Sequence, residues 1–427
     1  MMKFRGFSVL LVALAGAALL SGCKPDPVAS GMASLNCSSC HTGSASSEYG
    51  LQMLANEEGY ANSGHYNGTR VFNVASAVTS TGFLFQFQGS HARNENSTSC
   101  SQCHTDQGFV TWLSTGTAGV QAPASPPGCF TCHDPHDTGD FSLRAQGAVA
   151  LVDGSTYDHG GGNLCVDCHH ARTAATTLTV AANWNTKTNP HQGVQGDFIL
   201  GRDAWLFQPA SSYVGTSQHA TAPGDSCVSC HTFNPATGYT GSGSLQWGGH
   251  AFYQMAQTTI PGPATSTYSE ADQVNLCKTC HTTPAPGATF PTVDTPPATD
   301  WVGGGAGTGK DKLVQIRMLR DKLVNYFTTV GGATKAATIT SATTYASLTY
   351  PAPWAATAVT WEWNRDFILN SNVALTQVQA EAYWDLQLFL YDRSNGIHNP
   401  TFAAQILYDS CSAVGLVVGT RPTYTYP

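Results

Sequence analysis

Twelve of the fourteen cysteines fall into six Cys-x-x-Cys-His units: Cys37-Cys40-His41, Cys100-Cys103-His104, Cys129-Cys132-His133, Cys165-Cys168-His169, Cys227-Cys230-His231 and Cys277-Cys280-His281. Chance would supply about 0.02 such units at this cysteine and histidine content, so the spacing reflects a chemistry. Two thiols so spaced can form thioethers with the two vinyl groups of one porphyrin, which sets the adjacent imidazole under the iron as its proximal ligand. Zinc sites and redox disulfides also use Cys-x-x-Cys, but neither needs a histidine after every second cysteine. The twelve cysteines are therefore expected to bind six covalently attached haem c groups, with His41, His104, His133, His169, His231 and His281 as proximal iron ligands.

What fills the sixth position of each iron separates an electron carrier from a catalyst. Nine histidines lie outside the units, whereas only Met32, Met53, Met255 and Met318 follow the N-terminal apolar run. Methionine cannot complete six haems; histidine can. Local context orders the distal candidates as His136, His191, His250 and His398, then His219 and His91, then His65. His159, in a Gly-rich turn, and His170, directly beside a proximal ligand, are expected to have other roles.

Six units within residues 37 to 281 amount to about one haem per 40 residues, so the macrocycles should supply much of the apolar interior. Turn signals such as Pro126-Pro127-Gly128 and Gly160-Gly161-Gly162 dominate this span, with short helical turns expected at the attachment sites. The expected fold class is a multihaem cytochrome c, mainly irregular coil with short helices around a haem array, plus a helical C-terminal region. The segment 284–309 is Pro/Gly-rich and reads as a linker between a haem domain at 37–283 and that C-terminal region at 310–427.

Leu313, Ile316, Leu323 and Tyr326 recur at helical spacing. Thr376 and Gln379 form a capping box for a second helix through Tyr383, Trp384, Leu386 and Leu390, with Gly396 suited to its end. Asn399 and Pro400 read as N-cap and first residue of a third helix carrying Phe402, Ile406 and Leu407. His398 sits at the elbow, so this region is expected to supply a distal ligand. Cys411, in an apolar helical pattern, reads as a buried inert thiol.

At the N-terminus, Lys3 and Arg5 precede an apolar run from Phe7 to Leu20 that stops at Leu20-Ser21-Gly22-Cys23. This is the pattern of a lipoprotein signal at 1–22, with Cys23 lipidated and 23–36 a linker behind the anchor. Lys24 stands where inner-membrane retention would favour Asp, which points to the outer membrane, facing the periplasm or the cell surface. Only 11% of residues are charged and the formal net charge is −8, so nucleic acid is not an expected partner.

Several of these motifs resemble multihaem c-type lipoprotein cytochromes of metal-reducing and related anaerobic bacteria. The resemblance rests on Cys129-Phe130-Thr131-Cys132-His133-Asp134-Pro135-His136, Asn189-Pro190-His191-Gln192-Gly193, Gly248-Gly249-His250 and Gly396-Ile397-His398-Asn399-Pro400. It implies distal ligation by the histidines in the Asp-Pro, Pro-His, Gly-Gly-His and His-Asn-Pro contexts. The C-terminal helices are similar to those closing over the haems in the cytochrome c nitrite reductase-like group. No Cys-x-x-Cys-Lys unit is present, however, and many of those reductases use one at the catalytic haem.

The resulting expectation is an anaerobic-respiratory electron carrier without catalytic residues. It would pass electrons at or across the outer membrane to other c-type cytochromes or an extracellular acceptor, with a filament or homo-oligomer left open. The alternative is an oxidoreductase that reduces a small nitrogen or sulfur oxyanion at one five-coordinate haem, with Arg93, Arg144, Arg172 and Arg202 as candidate cationic groups.

Overall fold

In the computed structural model the described residues are 56–57, 59–60, 63, 65, 100–119, 127–138, 141–144, 146–186, 188–232, 249–252, 280–281, 299–308, 312–330 and 373–423. The signal segment, Cys23, Cys37, Cys40, His41, His91 and Cys277 lie outside them. The described chain divides into two compact units, one holding 100–144 and the other everything else. No described helix is long and apolar enough to cross a membrane.

Among the described residues of the first unit, two attachment motifs form single turns: helix α1, Ser101–His104, followed by α2, Asp106–Thr115, and then α3, Cys129–Cys132, with α4, Pro135–Thr138. Thr105 separates α1 from α2: its Oγ1 donates to the Ser101 carbonyl (2.8 Å) and accepts from Gly108 N (3.0 Å). This is an N-cap that also ties the two helices together. Asp106 accepts from Thr131 Oγ1 (2.5 Å) and Gly128 N (3.2 Å), bracing the second motif turn against the first. Arg144 closes the far side, donating to Asp134 Oδ2 (2.7 Å) and to the Phe130 carbonyl (2.9 Å).

The second unit begins with a hairpin in which β1, Val149–Ala150, pairs antiparallel with β2, Thr156–Tyr157. Short helices follow: α5, Gly162–Val166; α6, Gln195–Ile199; α7, Gln218–Thr221; and α8, Cys227–His231. Three long helices complete the unit: α9, Lys312–Val330; α10, Gln377–Asp392; and α11, Pro400–Ala413. Both expected start signals operate: Thr376 and Gln379 form the capping box of α10, and Asn399 caps α11 with Pro400 in its first turn. Helix α10 ends at Asp392 rather than near Gly396, because Arg393, Asn395 and Gly396 all take positive φ (63°, 55° and 95°) in the elbow.

The core of the second unit is conventional side-chain packing. Trp384, Phe389, Phe402, Ile406, Leu319, Leu323 and Phe327 are all at most 1% exposed. Each such side chain contributes about 1.5–3 kcal/mol by leaving water. The segment between motifs joins this core: Phe198 lies 6.2 Å from Phe389 and 5.6 Å from Phe402, ring centre to ring centre. Helices α9 to α11 therefore share one unit with the Cys165 and Cys227 motifs. Apolar faces of α10 and α11 that would otherwise meet water are covered by Ala171, Leu178, Val194 and Phe198. The described end of that stretch is itself built in. Asp300 accepts backbone N–H bonds from Val302, Gly303, Gly305 and Gly307, and Trp301 and Val302 are buried.

Candidate cofactor site

Three imidazole pairs lie in the second unit, and each unites a motif histidine with a histidine outside the motifs. His169 faces His65, His231 faces His398 and His281 faces His219, with ring centroids 6.1, 6.2 and 6.3 Å apart. Metal–imidazole bonds of about 2.0 Å on each side, with ring centres about 1.1 Å beyond the nitrogens, give about 6.2 Å. Ring packing alone also permits this separation.

Four of the six rings commit Nδ1 to an acceptor. His219 Nδ1 lies 2.6 Å from the Ile397 carbonyl and His231 Nδ1 lies 2.9 Å from the Phe252 carbonyl. His398 Nδ1 lies 2.6 Å from Asp392 Oδ1. A carbonyl or carboxylate can only accept, so Nδ1 carries the proton and, in the neutral ring, Nε2 keeps its lone pair. His169 Nδ1 lies 3.0 Å from Gln195 Oε1. The amide orientation is fixed independently, because Gln195 Nε2 donates to the Tyr391 (3.0 Å) and Asp392 (3.2 Å) carbonyls. An imidazole with Nδ1–H so held presents Nε2 as a metal ligand of defined direction.

Metal ligation also needs neutral rings. Burial lowers His65 and His169 to about 4, with the nearby imidazoles of His169 and His231 adding to the effect at His65, and burial lowers His231 as well. Burial also pulls on His398, but the charge of Asp392 and then its hydrogen bond outweigh it and make this imidazole more basic than usual.

The motif turns that carry these rings are neighbours. Cys165 of α5 hydrogen-bonds Cys227 of α8, an interaction that draws the Cys227 thiol well below its ordinary value. Tyr157 Oη is 2.7 Å from Ser226 Oγ and 3.6 Å from Cys227 Sγ. Cys230 is raised first by burial and then by Cys280 and Cys227. Among the described residues no group of three or more His, Cys, Asp or Glu encloses a metal by itself.

The other histidines are placed differently. His170 is occupied at both nitrogens, Nδ1 at 2.7 Å from the Ala171 carbonyl and Nε2 at 2.6 Å from Arg172 Nη1. His191 is exposed, at positive φ (70°), with Nδ1 2.8 Å from the Gln192 carbonyl. His159 packs its ring on Tyr157 (4.9 Å) and His250 packs on Phe252 (6.0 Å). In the first unit His133 Nδ1 lies 3.1 Å from the Ser142 carbonyl, and His136 is on α4. Two candidate cationic groups are engaged within the protein, Arg144 by Asp134 and Arg172 by His170 and the Cys168 carbonyl.

Sequence reasoning missed Gln195, Phe252 and Asp392, none of which belongs to a motif. Phe252 serves two sites from one position of positive φ (59°): its carbonyl accepts from His231 and its ring lies edge-on to His65 at 4.9 Å. Cys411 is fully buried, its thiol pushed well up by burial and directed at the Leu319 carbonyl (3.5 Å). No family model, curated protein or solved structure matches the chain.

Proposed function

We propose that the chain is a multihaem c-type cytochrome that carries electrons, with six haem c groups attached through the Cys-x-x-Cys-His units. The observation that carries the reading is the set of three imidazole pairs, in which every motif histidine of the second unit faces one non-motif histidine at 6.1 to 6.3 Å. His65 would complete the haem of the Cys165 motif, His398 that of the Cys227 motif and His219 that of the Cys277 motif. Bound haem would supply one-electron redox chemistry; the chain's residues fix ligand direction and spacing. Sites filled by two histidines leave no position for an oxyanion, which favours transfer over reduction of a small substrate.

The packing of α5 against α8 supports short distances between successive haems. The same reading includes a lipid anchor at Cys23 and residence at the outer membrane, with partner cytochromes or an extracellular acceptor receiving the electrons. It also includes kinship with the multihaem lipoprotein cytochromes that the motifs resemble.

Intact mass spectrometry on the matured protein, with paramagnetic resonance of the oxidised form, tests the assignment. Six haem masses that survive denaturation, with low-spin irons throughout the second unit, are expected. Five or fewer haems would overturn the cofactor load, and a high-spin iron in that unit would favour the enzyme. Cys23→Ala should release the protein from membranes or block maturation. Unchanged retention with no acyl mass on the wild type would refute the anchor.

A further inference from the structure

We infer that Asp392 is a potential-setting residue, holding the haem of the Cys227 motif below the potential that a neutral acceptor on His398 would give it. The inference rests on the haem reading above. Of the four described Nδ1 acceptors in the imidazole pairs, Gln195, Phe252 and Ile397 offer neutral oxygens. The fourth, Asp392 Oδ1, belongs to a carboxylate and lies 2.6 Å from His398 Nδ1. Its side chain is fully buried while that of His398 is 21% exposed, so the pair is poorly screened by water. Geometry keeps the carboxylate in place: Ser394 donates to Oδ2 through both its hydroxyl and its backbone N–H, and the same hydroxyl accepts from His398 N at 3.1 Å. The last residue of α10 is thereby locked onto the elbow that carries the ligand.

An anionic acceptor strengthens electron donation from the ligating imidazole and so favours the ferric over the ferrous state. The electron comes from the reductant or partner cytochrome. The Nδ1 proton stays on His398, shared with Asp392.

Reductive titration of the full-length haem protein, followed by visible absorption, reads the effect. His398→Ala identifies the component belonging to this site. In Asp392→Asn the amide oxygen still accepts from Nδ1, so six low-spin haems are expected with that component moved to higher potential. Asp392→Glu should restore it toward the wild-type position. Ser394→Ala, which removes a competing donor from the carboxylate, should move the same component lower. A titration of Asp392→Asn that superimposes on the wild type, with six low-spin haems, would overturn the inference, as would an equal upward shift in Asp392→Glu. If Asp392→Asn loses haem or becomes high-spin, Ser394→Ala decides: a downward shift supports the role of the carboxylate and no shift rejects it. A wild-type protein without haem would instead refute the functional reading on which this rests.

Discussion

His231 and His398 come from segments far apart in the chain, one from an attachment turn and the other from the elbow between α10 and α11, yet their ring centroids lie 6.2 Å apart. The elbow contains no attachment motif and is held by two long buried helices. Rigid support of this kind suits a ligand, because a few tenths of an ångström decide whether an imidazole reaches its metal. His398→Ala should therefore leave six haems attached while one iron becomes high-spin and open to carbon monoxide. His65→Ala and His219→Ala should each do the same at a different haem, and the double variants should show two high-spin irons. Paramagnetic resonance and carbon monoxide difference spectra check this; a His398→Ala protein with every iron low-spin would assign the ligand elsewhere.

Local signals in the sequence located the C-terminal elements well. The Thr376/Gln379 box, the Asn399-Pro400 start and the spacing of Leu313, Ile316 and Leu323 each act within a few residues, and each appears in the structure. The end of α10 was not legible, since Arg393 and Asn395 accept positive φ within contacts made by the folded elbow. Which imidazoles lie side by side was not legible in the sequence: His65 lies beside His169, whereas His191 is exposed at positive φ. Such pairings join segments far apart in the chain, and nothing adjacent to His65 records its partner. Gln195 and Asp392 left no trace for the same reason: an ordinary amide and an ordinary carboxylate gain their roles only from what folding brings to Nδ1.

In the first unit, a Cβ built on Gly108 would lie 2.2 Å from the Ser101 carbonyl oxygen and 2.5 Å from Thr105 Oγ1. The obstacle is backbone of the Cys100 motif, which cannot turn aside as a flexible side chain would. Gly108→Ala should cost about 1–3 kcal/mol, as overpacking does. Gly116→Ala meets nothing within 4 Å and faces only its positive φ (75°), so it should cost about 1 kcal/mol. Denaturant unfolding of the two variants checks the order; equal midpoints would mean that α1 and α2 separate easily.

Asp203 predicts a pH dependence of stability. It is 6% exposed, its Oδ1 accepts from Ala175 N (2.8 Å) and its Oδ2 is buried with no donor. Burial pushes this carboxyl up to about 8, and burial raises Asp197 to about 6. An unfolded aspartate titrates near about 3.9, so between roughly pH 4 and pH 8 the native state binds more protons than the unfolded chain. The contribution of these two carboxyls to stability should therefore fall as pH rises through that window. Asp203→Asn keeps the acceptor for Ala175 and tolerates the positive φ of 58°. It should leave stability near pH 4 unchanged and raise it by about 1–2 kcal/mol near pH 8. Unfolding midpoints of the wild type and Asp203→Asn at pH 4, 6 and 8 decide; a difference between the two proteins that does not grow with pH would show that Asp203 is ionised in the native state.

Asn399 is the residue on which the elbow turns. It is fully buried, and its Oδ1 accepts from Phe402 N (3.3 Å), capping α11 directly after His398. Its Nδ2 donates to the Gly215 carbonyl at 2.8 Å and approaches those of Ile199 (3.3 Å) and Phe198 (3.4 Å), so one amide fastens the helix start to the end of α6 and to the following loop. Asn399→Ala removes both functions: loss of the cap costs about 1 kcal/mol, and carbonyls left without a donor add about 1–3 kcal/mol. Asn399→Asp keeps the cap acceptor but points a carboxylate at three carbonyl oxygens in a buried site. That repulsion should make it the more damaging change at neutral pH, although aspartate is as good an N-cap as asparagine on an exposed helix. Both variants should also disturb the iron facing His398, because the imidazole hangs from the residue before the cap. Unfolding midpoints with low-spin haem counts on the same samples test this together. If Asn399→Asp proves the milder substitution, the donor half of the amide is dispensable and α11 is positioned by its apolar face alone.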